Sequence, residues 1–199
     1  QVGDYSLRMW KYGYEVFTIE QVPLRVSFDE FFSAKEVLTE EQVNCFKKKW
    51  GFNLVYSAGI RKNLLQYIVP LKQDLQILDI GCACGSNLMY IKDIYPEVQV
   101  YGIELNSCAA DIATCFGEIC QENIETMEKP EWTEKFEYVI LGNILEHLQD
   151  PANALKKIYT MLKPGGAIIA SIPNVKHISV MENLLAGFWR YEDAGILDR

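Results

Sequence analysis

Two glycines and one acid fall at spacings that suit a nucleotide-type ligand. Gly81 and Gly85 lie four residues apart with only small residues between them, directly after an apolar run that ends at Ile80. Such a tight turn lets a ligand approach the backbone and opens onto a helix N-terminus with unpaired N–H groups. A second apolar run precedes Glu104, about twenty residues beyond the turn, where an acid can accept hydrogen bonds from a ribose diol. The spacing predicts a ligand site at this turn; a solvated glutamate at a strand end is the alternative.

A second group of polar residues follows two later apolar runs. A neutral imidazole can take a proton from a hydroxyl group near pH 7, so His147 is the candidate general base. A histidine that only hydrogen-bonds its own loop is the alternative. Glu146 could orient His147, contact a substrate or bind a metal, and Asn174 and His177 follow the next apolar run. Ligands bind at the carboxyl ends of strands in open α/β sheets, so we expect these four residues beside a substrate. No spacing of histidines or cysteines predicts a metal site.

Short apolar runs that alternate with amphipathic segments must position these residues. This alternation predicts an α/β fold with a Rossmann-like, doubly wound, mostly parallel sheet. The predicted strands are residues 75–80, 98–103, 136–141 and 167–172, with a further strand and its exit at 119–124. The predicted helices are residues 54–69, a helix capped by Ser86 or Asn87, residues 107–116 capped by Asn106 or Ser107, and residues 152–162 capped by Asp150, with a turn at 163–166.

The composition is that of an ordinary globular protein and narrows the choice of partners. Nineteen basic and 27 acidic residues among 199 give a net charge of −8, which argues against nucleic acid as the main partner. No apolar run reaches membrane-spanning length and no signal peptide is visible. The six cysteines lack the spacing of a zinc site or a disulfide scaffold, so we expect reduced thiols in a cytoplasmic protein. A redox role for Cys82 and Cys84 is the alternative.

The residues around the two glycines resemble a known family. D-I-G-C-A-C-G at residues 79–85 and G-I-E-L-N at residues 102–106 are similar to the first two signature motifs of the class I S-adenosylmethionine-dependent methyltransferases. The usual first motif is D-x-G-C-G-x-G, and Ala83 stands where its middle glycine is expected. A positive φ at that position would weaken cofactor binding. The dinucleotide pattern G-x-G-x-x-G is not present, which disfavours the alternative of a nicotinamide-dependent oxidoreductase.

The resemblance implies S-adenosylmethionine as the cofactor and a set of residues that hold it. Asn123 and Ile124 would flank the adenine. Tyr56 or Arg61 can reach the methionine carboxylate in similar proteins, but an amphipathic helix packed on the sheet needs no such role. The implied cofactor-binding residues are Asp79, Gly81, Cys82, Ala83, Gly85, Glu104, Leu105, Asn123, Ile124 and Asn143, the last of which also faces the methyl acceptor.

Later motifs resemble those of polysaccharide-type methyltransferases. They are L-E-H-x-x-D-P at residues 145–151, I-P-N-V-x-H at 172–177 and G-I-L-D-R at 195–199. The resemblance implies methyl transfer to a sugar or glycan hydroxyl, with Glu146, Asn174 and His177 near the acceptor. Similar proteins continue past the last motif, so we expect the domain at 52–199 to lack two strands and to have an exposed sheet edge. A non-catalytic nucleotide-binding module of a polysaccharide assembly complex is the alternative.

Residues 1–51 resemble the C-terminal tail of a family 2 glycosyltransferase. The shared features are D-x-S-L-R from Asp4 to Arg8, G-Y-x-V from Gly13, and a helix at residues 40–51 that ends in K-W-G. The resemblance implies a glycosyltransferase domain on the same full-length chain, with no glycosyl transfer by this remnant. An N-terminal extension peculiar to the methyltransferase is the alternative.

Overall fold

The computed structural model of the chain describes residues 40–53, 57, 59–69, 74–191 and 196–197. The chain divides into two compact units, residues 1–59 and residues 60–199. Within the described residues no helix is both long and apolar enough to cross a bilayer.

Helix α1 of the first unit lies at Glu40–Trp50. It confirms the predicted helix at residues 40–51, with three lysines in its last turn. Gly51 ends the helix at φ +78°, and its N–H donates to the Lys47 carbonyl at 2.8 Å. Phe46 meets Phe52 edge to face, with ring centroids 5.4 Å apart. Residues 1–39, which carry the D-x-S-L-R and G-Y-x-V motifs, lie outside the described residues.

The second unit contains helices and strands in alternation. Its helices are α2 (Lys62–Leu65), α3 (Ser86–Ile94), α4 (Ser107–Ala113), α5 (Pro151–Met161) and α6 (Ile178–Leu185). Its strands are β1 (Gln76–Ile80), β2 (Gln99–Ile103), β3 (Glu118–Cys120), β4 (Phe136–Gly142) and β5 (Leu162–Ser171). Two single 3-10 turns lie at Pro130–Trp132 and Leu145–His147.

The five strands form one parallel sheet in the order β3-β2-β1-β4-β5. All four strand pairs are parallel, and β1 lies in the centre between β2 and β4. This order confirms the predicted Rossmann-like α/β fold. Among the described strands β5 is an edge, and it is mostly exposed or half-buried. The carboxyl ends of β1, β2, β4 and β5 therefore lie along one edge of the sheet.

Alternate residues of the central strands fill two separate cores, one on each face of the sheet. Leu78 and Ile80 of β1 belong to one core, which also contains Phe136 and Ile158. Ile77 of β1 belongs to the other core. Members of this second core come from the segment around α2 and from α3, α4 and the strands: Leu64, Leu65, Ile68, Leu88, Ile91, Ala113, Val100, Ile140 and Ile169.

Two predicted elements differ clearly from the structure. The helix predicted at 54–69 is wrong in its described part, since Ser57 and Lys62–Leu65 are helical but residues 59–61 and 68–69 are not. The N–H of Arg61 donates instead to the side chain of a distant residue, Asn87, at 2.9 Å. Strand β5 begins at Leu162, before the predicted residue 167, and the predicted turn at 163–166 forms an irregularity in its pairing with β4. Strand β3 ends at Cys120, within the segment predicted for this strand and its exit.

Candidate active site

The predicted glycine turn follows β1 and is bonded to the end of β2. The N–H groups of Gly81 and Cys82 donate to the Ile103 carbonyl at 2.8 and 3.1 Å, and Gly85 N–H donates to the Cys82 carbonyl at 2.9 Å. Gly81 and Gly85 have φ values of +72° and +79°, and Ala83 has φ +48°. The alanine therefore occupies the left-handed conformation that a glycine would adopt more easily, at a cost of about 1 kcal/mol.

Neighbouring side chains explain why this turn contains small residues. A Cβ at Gly81 would overlap the side chain of Ile144. A Cβ at Gly102 of β2 would lie 2.5 Å from Sγ of Cys82, so the buried thiol packs flat against the β2 backbone. Small residues are therefore required for the turn to pack this closely against Ile144 and β2.

Glu104 holds the turn with both of its carboxylate oxygens. Oε2 accepts a hydrogen bond from Ala83 N–H at 2.9 Å, and Oε1 accepts one from Asn106 N–H at 2.8 Å. A carboxylate has about four acceptor positions, so each oxygen keeps the capacity for one more donor. Leu105 is next to it with 66% of its surface exposed. Asn106 also caps α4, as predicted, because its Oδ1 accepts from Ala109 N–H at 3.0 Å.

Asp79 is buried at the end of β1 and is bonded to Asn87. The Asn87 Nδ2 donates to Oδ2 of Asp79 at 3.0 Å, and Oδ1 of Asn87 accepts from the backbone N–H of Arg61 at 2.9 Å. Burial raises the pKa of Asp79 to about 7, although the Asn87 hydrogen bond and the Arg61 charge act to lower it and Glu104 adds to the rise. The prediction that Ser86 or Asn87 caps α3 is wrong, since Gly85 occupies the cap without a side-chain bond.

Arg61 brings a positive charge to the same edge of the sheet. Its side chain lies against Gly142 at the end of β4, where a Cβ on the glycine would be 2.7 Å from Cδ of Arg61. Its charge also acts on the buried Asp79. A carboxylate and a guanidinium thus flank the glycine turn, and Tyr56, the other predicted residue, lies outside the described residues.

The predicted adenine loop is bonded largely to itself and to α5. Oδ1 of Asn123 accepts from Glu125 N–H at 2.9 Å. The side chain of Ile124 is 4% exposed and belongs to a core, so the backbone of this residue is the part that could face a ligand. Nζ of Lys157 donates to the carbonyls of residues 124, 125 and 127 at 3.0, 2.9 and 2.8 Å. One ammonium group therefore fixes the path of the loop.

The residues predicted near the acceptor lie beyond the ends of β4 and β5. Asn143 has φ +58°, and its side-chain oxygen accepts from the Ser171 hydroxyl. Its N–H also donates to the Ser171 carbonyl at 3.1 Å. Glu146 and His147 lie exposed on the 3-10 turn that follows. Within the described residues the His147 imidazole has no hydrogen-bond partner.

Asn174 and His177 are exposed, and both bond to their own loop. Oδ1 of Asn174 accepts from Lys176 N–H at 3.0 Å. His177 caps α6, with Nδ1 2.9 Å from Oγ of Ser179. A substrate contact by either residue stays a prediction.

Two buried thiols in the turn are poor nucleophiles. Burial raises the pKa of Cys82 well above its usual value and that of Cys84 to about 12. Since the thiolate is the reactive form, a redox role for this pair loses support. Among the described residues no group of three or more histidine, cysteine or acidic side chains could hold a metal ion.

Sequence reasoning missed Asn87 and Lys157 and preferred a packing role for Arg61. A polar residue in the first turn of α3, on the side that faces β1, was the available signal for Asn87.

The features of this edge fit S-adenosylmethionine. Opposite charges on Asp79 and Arg61 complement an amino-acid group, the turn admits close approach, and Glu104 has spare acceptor capacity for a ribose.

Comparison with known proteins agrees with this geometry. Residues 55–196 match a family model described as a methyltransferase domain. The chain is 29% identical over 177 residues to a ubiquinone biosynthesis O-methyltransferase of Colwellia psychrerythraea, covering 82% of this chain and 71% of that protein. It is 25% identical over 158 residues to phosphoethanolamine N-methyltransferase 2 of Caenorhabditis elegans, covering 74% of this chain and 35% of that protein. The chain spans only 22% to 35% of the phosphoethanolamine N-methyltransferases that it matches.

A solved structure supports the same assignment of the fold. Phosphoethanolamine N-methyltransferase 2 of Haemonchus contortus in complex with S-adenosyl-L-methionine aligns with a TM-score of 0.53 and 21% identity, covering 84% of this chain and 41% of that chain. The family match covers most of the sequence. The chain therefore belongs to the methyltransferase domain family, and the predictions of a class I methyltransferase fold and of S-adenosylmethionine as its cofactor are confirmed.

Proposed function

We propose that this domain transfers the methyl group of S-adenosylmethionine to a hydroxyl of a sugar or glycan intermediate in surface polysaccharide biosynthesis. The observation that carries the methyl-transfer part is the glycine turn clamped by Glu104, with the Asp79 carboxylate and the Arg61 charge beside it. When bound there, the cofactor supplies a sulfonium methyl group to a nucleophile. Asp79 and Arg61 would hold the amino-acid end, and Glu104 would hold the ribose.

Asn123 and Ile124 complete the proposed cofactor site at the adenine. Oδ1 of Asn123 already accepts from Glu125 N–H, and its second lone pair can accept from the adenine amino group. Lys157 holds three carbonyls of this loop, so the loop is in place before the cofactor arrives. Leu105, which is 66% exposed beside Glu104, offers an apolar surface to the base.

His147 is the proposed general base for the acceptor. A hydroxyl is a poor nucleophile and gains from proton removal during attack, whereas positioning supplies most of the rate in such a displacement. The imidazole is exposed beyond the carboxyl end of β4, on the side where Asn143, Glu146, Asn174 and His177 also lie.

The choice of a sugar hydroxyl draws support from the motifs at residues 145–151, 172–177 and 195–199. The relatives include both an O-methyltransferase and an N-methyltransferase, so they favour neither type of acceptor atom. The resemblance of residues 1–51 to a glycosyltransferase tail supports a full-length protein that carries a glycosyltransferase domain. The six cysteines, which lack the spacing of a disulfide scaffold, support a location in the cytoplasm.

The test combines cofactor binding with a survey of acceptors. S-adenosylhomocysteine is titrated calorimetrically into the chain, and methyl transfer from labelled S-adenosylmethionine is measured on sugar nucleotides, lipid-linked glycans and phosphoethanolamine. We expect binding and transfer to a sugar hydroxyl.

His147→Gln should lower kcat about 100-fold or more without changing S-adenosylhomocysteine affinity. Gln149→Ala, an exposed change in the same loop, should leave both unchanged. Turnover of phosphoethanolamine alone would overturn the sugar acceptor. Binding without turnover of any acceptor would favour a non-catalytic module.

A further inference from the structure

Asn87 is a buried amide whose two ends are both bonded to other elements. It lies in the first turn of α3 with 8% of its surface exposed. Its Nδ2 donates to the Asp79 carboxylate at the end of β1, at 3.0 Å. Its Oδ1 accepts the N–H of Arg61, just before α2, at 2.9 Å. One side chain thus links the end of β1, the first turn of α3 and the segment just before α2.

Asn87 thus holds the side-chain carboxylate of an acidic residue and the backbone N–H of a basic one. The Asp79 carboxylate is buried, and the Arg61 charge acts on it. The Arg61 backbone is fixed by the amide, and its side chain extends to Gly142 at the end of β4. The amide therefore determines where the arginine side chain starts relative to the carboxylate.

This geometry bears on a zwitterionic ligand, which presents an ammonium and a carboxylate at a fixed separation. Building on the proposed function, we propose that Asn87 is a positioning residue for the amino-acid end of the cofactor. By holding the Asp79 carboxylate and the Arg61 backbone with one amide, it sets the spacing between the two charges that the ammonium and carboxylate of the ligand contact. Asn87 itself touches neither group of the ligand.

The protonation state of Asp79 makes this role visible in the pH dependence of ligand affinity as well. Only the ionised carboxylate attracts an ammonium, and the Asn87 hydrogen bond favours the ionised form. The groups that act on Asp79 are Arg61, which lowers its pKa, and Glu104, which raises it; the neighbouring Cys82 thiol is neutral. Removing the amide donor should therefore raise the pKa of Asp79 above its present value near 7.

The experiment compares two ligands that differ only in the amino-acid group. S-adenosylhomocysteine carries it, and 5′-methylthioadenosine lacks it. Both are titrated between pH 6 and pH 8.5 into the wild-type chain, Asn87→Leu and Asn87→Ser. Asn153→Leu makes the same change on the exposed side of α5 and serves as the control. Binding of 5′-methylthioadenosine reports that each variant is folded.

For Asn87→Leu we expect about 10- to 100-fold weaker binding of S-adenosylhomocysteine at pH 7, because a buried charged acceptor loses its donor. Binding of 5′-methylthioadenosine should change less than threefold. The pH at which S-adenosylhomocysteine affinity is half-maximal should move upward. Asn87→Ser, whose hydroxyl can donate and accept but is shorter than the amide, should lie between Asn87→Leu and the wild type.

Other results overturn the inference in distinguishable ways. Equal losses for both ligands, with no shift of the pH profile, would mean that Asn87 only supports the fold. An unchanged affinity for S-adenosylhomocysteine would exclude a positioning role while leaving the proposed function intact. A wild-type chain that binds neither ligand would overturn the proposed function and this inference together.

Discussion

The two halves of the sheet edge differ in how firmly their polar residues are held. At the ends of β1 and β2, the side chains of Asp79, Asn87 and Glu104 bond to other elements and are buried or half-buried. Beyond β4 and β5, His147 is exposed and His177 bonds within its own loop. The half that would bind an invariant cofactor is prebuilt, whereas the half that would meet the acceptor is open. Recognition of the acceptor can therefore depend on exposed side chains whose substitution has little effect on the fold.

The largest expected effect comes from breaking the prebuilt half at Gly81. Gly81→Ala should destabilise the protein by about 4 kcal/mol, because the new Cβ both strains a positive φ and overlaps Ile144. Binding of S-adenosylhomocysteine should fall below detection. Gly165→Ala is a matched control, since it has φ +80° and nothing within 4 Å of a Cβ. Urea unfolding and calorimetry measure both; equal effects of the two variants would contradict the prediction.

An effect of at most the same size is expected from Asp79, and it depends on pH. The pKa of Asp79 is raised to about 7 in the folded chain from 3.8, so the folded state holds a proton that the unfolded chain has released between these values. Wild-type stability should therefore fall as pH rises through this window. Asp79→Asn removes the titrating group, so its stability should not fall with pH in this way, and the new side chain can still form a hydrogen bond with Asn87.

This variant should be more stable than the wild type by up to about 4 kcal/mol at pH 8, with the difference vanishing near pH 4. Urea unfolding at pH 4, 6 and 8 measures it. A difference that stays constant with pH would show that titration of Asp79 is not its origin. The same substitution should abolish S-adenosylhomocysteine binding. Asp79→Asn is therefore expected to raise the free energy of unfolding at pH 8 while removing cofactor affinity.

The smallest of these effects is expected at Lys157, which donates to three carbonyls of the predicted adenine loop at residues 123–127. Lys157→Met leaves three carbonyls without their shared donor and should cost about 2 kcal/mol of unfolding free energy. Lys156→Met changes the neighbouring exposed lysine on the same helix and should cost little. Denaturant unfolding of the two variants compares them directly. Equal stabilities would mean that water replaces the ammonium without cost.

The fold was largely predictable because buried parallel strands appear as apolar runs. All five strands were found, and the glycine turn and Glu104 follow them at local, fixed distances. The helix predicted at 54–69 failed, although Leu64 and Ile68 are buried, as its apolar periodicity would require. The periodicity identified the buried face, but the bond from Arg61 N–H to Asn87 competes with the helix.

The site was predictable only where it depends on local sequence. The positive φ at Ala83, anticipated as a risk, follows from the turn itself. The role of Lys157 depends on carbonyls that lie at least 30 positions away in the chain, and no local pattern marks it. A polar residue in the first turn of α3 was a signal for Asn87, but its partners, Asp79 and Arg61, do not follow from that position. Whether Asn123 and His147 act on ligands stays a prediction, because Asn123 bonds within its own loop and the His147 imidazole is exposed.

The strand order also has a consequence for how the protein folds. The central strand β1 pairs with β2 after a short crossover, Gln76 opposite Gln99, but pairs with β4 only across a much longer stretch, Ile77 opposite Tyr138. Closing the longer loop costs more chain entropy and slows the corresponding step. The half of the edge that carries Asp79 and Glu104 can therefore assemble earlier, during synthesis of the chain, and the half that carries His147 must wait until β4 has emerged.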